Sequence, residues 1–185
     1  ALNLVMRLSG IATATRQYVD QLAGSSTQLV DTRKTTPGLR QLEKYASRVG
    51  GAINHRLGLD DAVMIKDNHI AAAGGIRAAV ERIRPAIPYP MTVEVETSTL
   101  EQVDEAIACP VDIIMLDNMP PAMMKTAVER IRAQKPAVKI EASGNVTLET
   151  LGPIAATGVD FISSSAPITR APWLDISMQV SSKPV

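Results

Sequence analysis

Six short apolar runs punctuate this chain, and each leads to a charged or small polar residue. The runs are Gln28-Leu29-Val30, Ala62-Val63-Met64-Ile65, Thr92-Val93-Glu94-Val95, Ile113-Ile114-Met115-Leu116, Lys139-Ile140-Glu141-Ala142 and Val159-Asp160-Phe161-Ile162. Beyond them lie, in turn, Arg33-Lys34, Lys66, Glu96, Asp117, Ser143-Gly144 and Ser164-Ser165. Short apolar runs bounded by turn residues read as strands covered on both faces, as in a parallel sheet. Helical spacing fills the intervals. A leading helix occupies 1–24, breaking at Ala23-Gly24-Ser25-Ser26, and Leu39, Leu42, Tyr45, Ala46 and Val49 mark a second. Further helices are predicted at about 70–84, 98–108, 120–134 and 147–157, with Pro120-Pro121 and Thr147 as starts of the last two.

Strand, loop and helix in repetition, with right-handed crossovers, predict an α/β fold: a parallel, TIM-like α/β barrel, incomplete or open, because six strands are found. Thr92 to Glu96 and Lys139 to Ser143 alternate, which puts Glu94 and Glu141 on the face opposite Val93, Val95 and Ile140. Buried carboxylates in such places need partners. At 185 residues the chain is expected to be a single domain over 1–185, with a flexible tail at 181–185. It opens inside an amphipathic pattern, with neither an initiator Met nor a capping residue, and reads as a chain whose beginning lies elsewhere.

Charge and composition narrow the partners. Nineteen basic and nineteen acidic residues cancel, so no long-range field favours nucleic acid or an anionic membrane. No apolar stretch reaches the roughly 20 residues of a bilayer span, and no secretory signal opens the chain. The single Cys109 excludes an internal disulfide framework, reads as a small buried hydrophobe and suits a cytoplasmic location.

In a barrel all strand C-termini share one face, so six distant positions converge there. Arg33, Lys34, His55, Arg56 and Lys66 form a cationic group suited to a small polyanion, with Arg as a planar fork and Lys as a point charge. Solvated surface charge is the plainer alternative for each, and it is preferred for Arg40 inside its helix. Glu96 and Asp117 end consecutive strands, where two carboxylates can share a divalent ion, bind ribose hydroxyls or stabilise positive charge; a structural salt bridge to Lys66 is the alternative. His69 is expected to act structurally near a helix start. One Cys and two His cannot build a closed zinc site. Ser143-Gly144-Asn145 and Ser164-Ser165, on the two last loops, suit a phosphate held by backbone N–H groups and hydroxyls, or are simple turns.

Asp31-Thr32-Arg33-Lys34-Thr35-Thr36-Pro37-Gly38-Leu39-Arg40, His55-Arg56-Leu57-Gly58-Leu59 and Met64-Ile65-Lys66-Asp67-Asn68-His69 strongly resemble the quinolinate phosphoribosyltransferases. Val93-Glu94-Val95-Glu96, Met115-Leu116-Asp117-Asn118, Glu141-Ala142-Ser143-Gly144-Asn145 and Leu174-Asp175-Ile176-Ser177 extend the likeness along nearly the whole chain. The resemblance implies a carboxylating glycosyltransferase of NAD biosynthesis that converts quinolinate and phosphoribosyl pyrophosphate to nicotinate mononucleotide, pyrophosphate and carbon dioxide. It implies quinolinate among Arg33, His55, Arg56 and Lys66, with Lys34 between the two substrates. Phosphoribosyl pyrophosphate, with Mg2+, is implied against Glu96 and Asp117 and along Ser143, Gly144, Asn145, Ser164 and Ser165. Lys34, Lys66, Glu96 and Asp117 are the implied catalytic residues. The resemblance also implies a homodimer or higher homo-oligomer, and an N-terminal α/β sandwich domain that these residues lack. Ser165 and Thr169 stand where the family commonly has Gly and His, with Arg170 beside them as a compensating cation. Two other readings remain: a related barrel enzyme using another pyridine or base, and a truncated barrel that only binds anions.

Overall fold

The computed structural model describes residues 1–180 and runs α1 (Leu2–Gln21), β1 (Gln28–Val30), α2 (Arg40–Val49), β2 (Val63–Ile65), α3 (Asp67–Ala73), α4 (Ile76–Ile83), β3 (Val93–Thr97), α5 (Leu100–Ile107), β4 (Ile113–Asp117), α6 (Pro121–Gln134), β5 (Lys139–Ser143), α7 (Leu148–Ala155), β6 (Phe161–Ser163) and α8 (Ala166–Thr169). The tail expected at 181–185 lies outside the described residues.

All six strands pair in parallel, in the order β1-β6-β5-β4-β3-β2. Read as a ring, that is the sequence order with one break, between β1 and β2. The segment before β2 partly fills the break: Ile53 bridges to Val30, its N–H donating to the Leu29 carbonyl at 2.9 Å, and the Asp31 N–H donating to the Ile53 carbonyl at 3.1 Å. The sheet is thus a barrel open at one seam, as the six-strand pattern predicts.

Alternation along each strand sorts the side chains. Thr97, Leu116, Ala142 and Ile162 lie in register across neighbouring strands, and Val95 pairs with Ile114. Val95, Leu116, Ala142 and Ile162 are fully buried, packed with Val80, Val103, Ile131 and Leu151 from the surrounding helices in one core. Burying each Val, Leu or Ile side chain among them contributes about 1.5–3 kcal/mol. The opposite, inward row is mostly polar: Glu96 and Glu141 flank Met115 in register, and Asp117 pairs with Ser143.

Three departures from the sequence reading have local causes. The helix predicted over about 70–84 is two helices, α3 beginning at Asp67 and α4 ending at Ile83, followed by a 3-10 turn at Arg84–Ala86. Gly74 (φ 89°) and Gly75 (φ 139°) take backbone conformations that side chains resist, and both donate to the Ile70 carbonyl, which stops α3. The short α8 occupies what reads as a loop. In α2 the apolar stripe faces outward: Leu42, Tyr45 and Val49 are exposed, while Glu43, Lys44, Ala46 and Ser47 are buried.

That inversion positions the mouth. Glu43 accepts from Arg7 of α1, from the Thr36 N–H at 2.8 Å and from the Thr36 hydroxyl at 2.9 Å. Lys44 pairs with Asp31, which also accepts from the His55 N–H at 2.8 Å and the Asn54 amide at 2.6 Å. Two buried charges on a helix therefore pin the loops carrying Arg33-Lys34 and His55-Arg56. Arg7 continues outward to the Ile168 carbonyl at 2.7 Å and so ties α8, which follows β6, to the same anchor.

Candidate functional site

A cavity of about 760 Å³ opens at the C-terminal ends of the strands. Its wall includes every residue singled out for the site in the sequence: Arg33, Lys34, His55, Arg56, Lys66, Glu96, Asp117, Ser143, Gly144, Asn145, Ser164 and Ser165. Thr32, Met64, Met115, Asn118, Glu141, Val146, Thr147, Ser163, Ala166 and Arg170 complete it. Arg40 is outside, bracing two loops through Thr35 and the Leu57 carbonyl.

One side is cationic. The Nε of Arg33 is buried without a partner, a donor that an incoming anion would satisfy. Arg56 fixes one arm on the Ala62 carbonyl at 3.1 Å. Its pKa is drawn below the ordinary arginine value by burial and by the neighbouring Arg33 guanidinium. Cations crowded in this way gain from an anion between them. Lys66 closes on Glu96 in an ion pair that joins the two strand ends, so the salt bridge weighed for Glu96 is present. His69 has the structural role expected of it: its Nδ1 accepts the Lys66 N–H at 3.0 Å at the start of α3.

Below the cations, Glu94 and Glu141 point into the barrel, and His55 is the partner their burial requires. Its Nε2 lies 3.2 Å from Glu94 and 3.5 Å from Glu141, while its Nδ1 accepts the Arg56 N–H at 2.8 Å. Burial opposes charge on the ring, but hydrogen bonding and charge from Glu141 and Glu94 outweigh it and carry the His55 pKa to about 10. Burial, with Glu141 nearby, also raises Glu94. In the neutral ring an accepting Nδ1 puts the proton on Nε2, facing the two carboxylates, and the imidazolium that they favour carries its second proton on Nδ1. The three groups are close enough to surround a cation, yet a ring protonated at Nε2 has no lone pair there for a metal. Both ring nitrogens of His55 are thus engaged within the protein.

The other side carries acceptors and loops. Asp117 ends β4 across from Ser143. The Oδ2 of Asp117 accepts the Asn118 amide at 2.7 Å, and Glu96 binds Lys66 through Oε2, so among the described residues the second oxygen of each of these cavity-lining carboxylates has no protein partner. Ser164 donates its N–H to the Val30 carbonyl, and its hydroxyl accepts from the Ala166 N–H at 3.2 Å. Ser165 sits at φ −86°, an ordinary conformation, so its side chain brings no backbone strain. Thr169 is exposed and caps back onto the Ser165 carbonyl, whereas Arg170 lines the cavity.

Sequence reading missed Asn118, because nothing in one side chain's identity reveals its conformation. It also missed the buried pairs of α2, because the regular apolar stripe of Leu42, Tyr45 and Val49 pointed to the opposite face as the buried one.

Comparison with known proteins agrees with this geometry. Residues 11–179 match the family described as quinolinate phosphoribosyl transferase, C-terminal domain. A probable nicotinate-nucleotide pyrophosphorylase [carboxylating] of Synechocystis sp. is 70% identical over 180 residues, 97% of this chain and 61% of the relative. The human nicotinate-nucleotide pyrophosphorylase [carboxylating] is 41% identical over 187 residues, 100% of this chain and 63% of the relative. The crystal structure of NadC from Streptococcus pyogenes superposes with a TM-score of 0.91 at 44% identity, covering 97% of this chain and 62% of that one. The chain thus spans about three fifths of the length of these relatives. It belongs to the family of the quinolinate phosphoribosyl transferase C-terminal domain.

Proposed function

We propose that this barrel is the catalytic part of a carboxylating phosphoribosyltransferase that joins quinolinate to phosphoribosyl pyrophosphate, giving nicotinate mononucleotide, pyrophosphate and carbon dioxide. The observation that carries the reading is one cavity with a cationic wall on one side, in which the Arg33 Nε lacks a partner, and carboxylates with Ser/Gly loops on the other. A pyridine dicarboxylate suits the wall of Arg33, Arg56 and Lys66. The 5′-phosphate of a sugar suits Ser143, Gly144, Asn145, Ser164 and Ser165, with Arg170 adding charge.

The residues fit a Mg2+ delivered with phosphoribosyl pyrophosphate, since Glu96 and Asp117 both line the cavity and each has one oxygen without a partner among the described residues. When bound, that ion neutralises the leaving pyrophosphate. The barrel's own groups do the rest. Arg33, Arg56 and Lys66 hold the two ring carboxylates so that the pyridine nitrogen faces the ribose C1, with Lys34 between the substrates. Glu96 and Asp117 stabilise positive charge that develops at C1 as the C–O bond to pyrophosphate breaks and the C–N bond forms. The ring nitrogen is then cationic, and the carboxylate beside it leaves as carbon dioxide, its bonding pair remaining on the ring carbon until a proton is taken up. Burial and crowding of the cations place charge where the dianion sits and keep it there without reorganisation.

The same reading makes the protein a cytoplasmic enzyme working as a homodimer or larger homo-oligomer. The described residues contain no helix long and apolar enough to cross a membrane. The test is direct: with both substrates and Mg2+, pyrophosphate and carbon dioxide should appear in equal amounts with nicotinate mononucleotide. Release of pyrophosphate without carbon dioxide, or from nicotinate as readily as from quinolinate, would contradict it.

A further inference from the structure

The loops after β4 and β5 interlock through a left-handed asparagine. Asn118 (φ 53°) follows Asp117 directly, and Asn145 (φ 49°) follows Gly144 (φ 97°). Two non-glycine residues in this region of backbone space, hydrogen-bonded side by side on the wall of one cavity, are held there against a cost of about 1–3 kcal/mol each. The Asn118 backbone N–H extends the β4–β5 ladder by donating to the Ser143 carbonyl at 2.9 Å. Its side-chain amide donates to the Asp117 Oδ2 at 2.7 Å, and its Oδ1 accepts the Asn145 amide at 3.2 Å. Gly144 leaves the space this needs: a Cβ there would come within 2.1 Å of the Asn118 Oδ1. The amide orientation follows from its partners, because Asp117 can only accept from Nδ2 and the Asn145 Nδ2 can only donate to Oδ1.

We propose that Asn118 is a positioning residue whose amide couples the Asp117 carboxylate to the Ser143–Asn145 loop, so that the carboxylate end and the phosphate end of the site are set as one unit for a phosphorylated sugar carrying a divalent cation. The proposal rests on the function proposed above for the ligand's identity. Asn118 touches no reacting atom; it acts through the orientation of Asp117 and through the approach of the Gly144-Asn145 backbone. The side chains of Asn118 and Asn145 are exposed at the mouth, so the strained backbone serves no core packing. The carboxylates and phosphate loops of such a site must agree in position, since a ligand that spans both gains nothing from either alone when they are misaligned.

Asn118→Gly separates the amide from the backbone, because glycine adopts the left-handed conformation without strain. Calorimetric titration with phosphoribosyl pyrophosphate and Mg2+ should show Asn118→Gly binding about tenfold more weakly than the parent, the scale of losing a charge-assisted hydrogen bond. Quinolinate binding should stay within about twofold on the same scale. In an Asp117→Ala background the added Asn118→Gly should cost less than about threefold, since the group it acts through is gone. Parent-like affinity in Asn118→Gly, an equal loss for quinolinate, or a full tenfold loss persisting without Asp117 would each overturn the coupling. A ligand-free measurement separates failure of this coupling from failure of the assigned function. In 1H–15N spectra, Asp117→Ala should move the side-chain amide signals of both Asn118 and Asn145. If the parent binds no phosphoribosyl pyrophosphate, the function falls and these signals decide the coupling: movement of both upholds it, and an unmoved Asn145 signal overturns it.

Discussion

At the scale of single residues, charge and burial assign different jobs to groups of the same type. Lys66 is partly exposed at a strand end and paired with Glu96, whereas Lys44 is fully buried beneath the first loop with Asp31. Lys66→Ala should therefore leave the fold intact and weaken quinolinate binding by about 1.5–3 kcal/mol, the cost of a charge-assisted contact to a carboxylate. Titration of the folded variant checks this, and an unchanged affinity contradicts it. Removing Glu96 or Asp117 should weaken Mg2+-dependent binding of phosphoribosyl pyrophosphate more than binding of quinolinate, which these carboxylates can only repel; equal losses would mark them as structural. The His55 cluster sets a pH dependence. Its pKa is raised from 6.5 to about 10, so the stability it contributes is fully present below about 6.5 and is lost as pH rises toward about 10. The thermal midpoint should fall across that window, and the fall should shrink when Glu94 and Glu141 are both replaced by Gln.

Elements show how ends of strands and helices are fixed by a few polar contacts. Asp160, just before β6, accepts from Arg132 of α6 at 2.6 Å and from the Ile140 N–H at 2.8 Å. Burial opposes its charge, but these bonds and the cations Arg132 and Lys139 hold its pKa below the usual 3.8. Its contribution is present above about 3.8 and is lost as pH falls through the lowered value. Asp160→Asn should thus lower stability at neutral pH and flatten the acid limb of the unfolding profile. The Thr99 hydroxyl caps α5 by accepting the Gln102 N–H at 3.3 Å, and Thr99→Ala should cost about 1 kcal/mol in denaturant unfolding. Most strands were legible in sequence as continuous apolar runs, because both of their faces are covered, and β3 and β5 as alternating ones, because their inner face carries Glu94, Glu96 and Glu141. Helix breaks and α2's orientation were not. Gly74-Gly75 interrupts a pattern whose apolar spacing continues past it, and the buried face of α2 is set by ion pairs to residues distant in sequence, which periodicity cannot see. Strand ends are local landmarks, and every site residue chosen by that rule lines the cavity, while the roles assigned to those residues rest on the proposed function.

The whole molecule is a barrel open at one seam, with its outer core apolar and its inner face mostly polar down to His55, Glu94 and Glu141. Glu94 and Glu141 are buried there, and His55, partly exposed, joins them to the cavity wall beneath a mouth that faces solvent. Water at the mouth weakens both positioning and electrostatics, each able to account for several kcal/mol of barrier. These 185 residues alone should therefore bind substrates yet turn over at least about a hundredfold more slowly than a full-length relative, equivalent to about 2.7 kcal/mol in barrier. Equal rates of carbon dioxide release from the two would contradict this. The central claim is that the wall of Arg33, Arg56 and Lys66 recognises a pyridine dicarboxylate, and calorimetric comparison of quinolinate with nicotinate, which lacks one carboxylate, tests it most directly. We expect quinolinate to bind at least about tenfold more tightly in the parent, the worth of one charge-assisted contact, with the preference gone in Lys66→Ala. Equal affinity for the two ligands, or a preference that survives Lys66→Ala unchanged, would contradict the account.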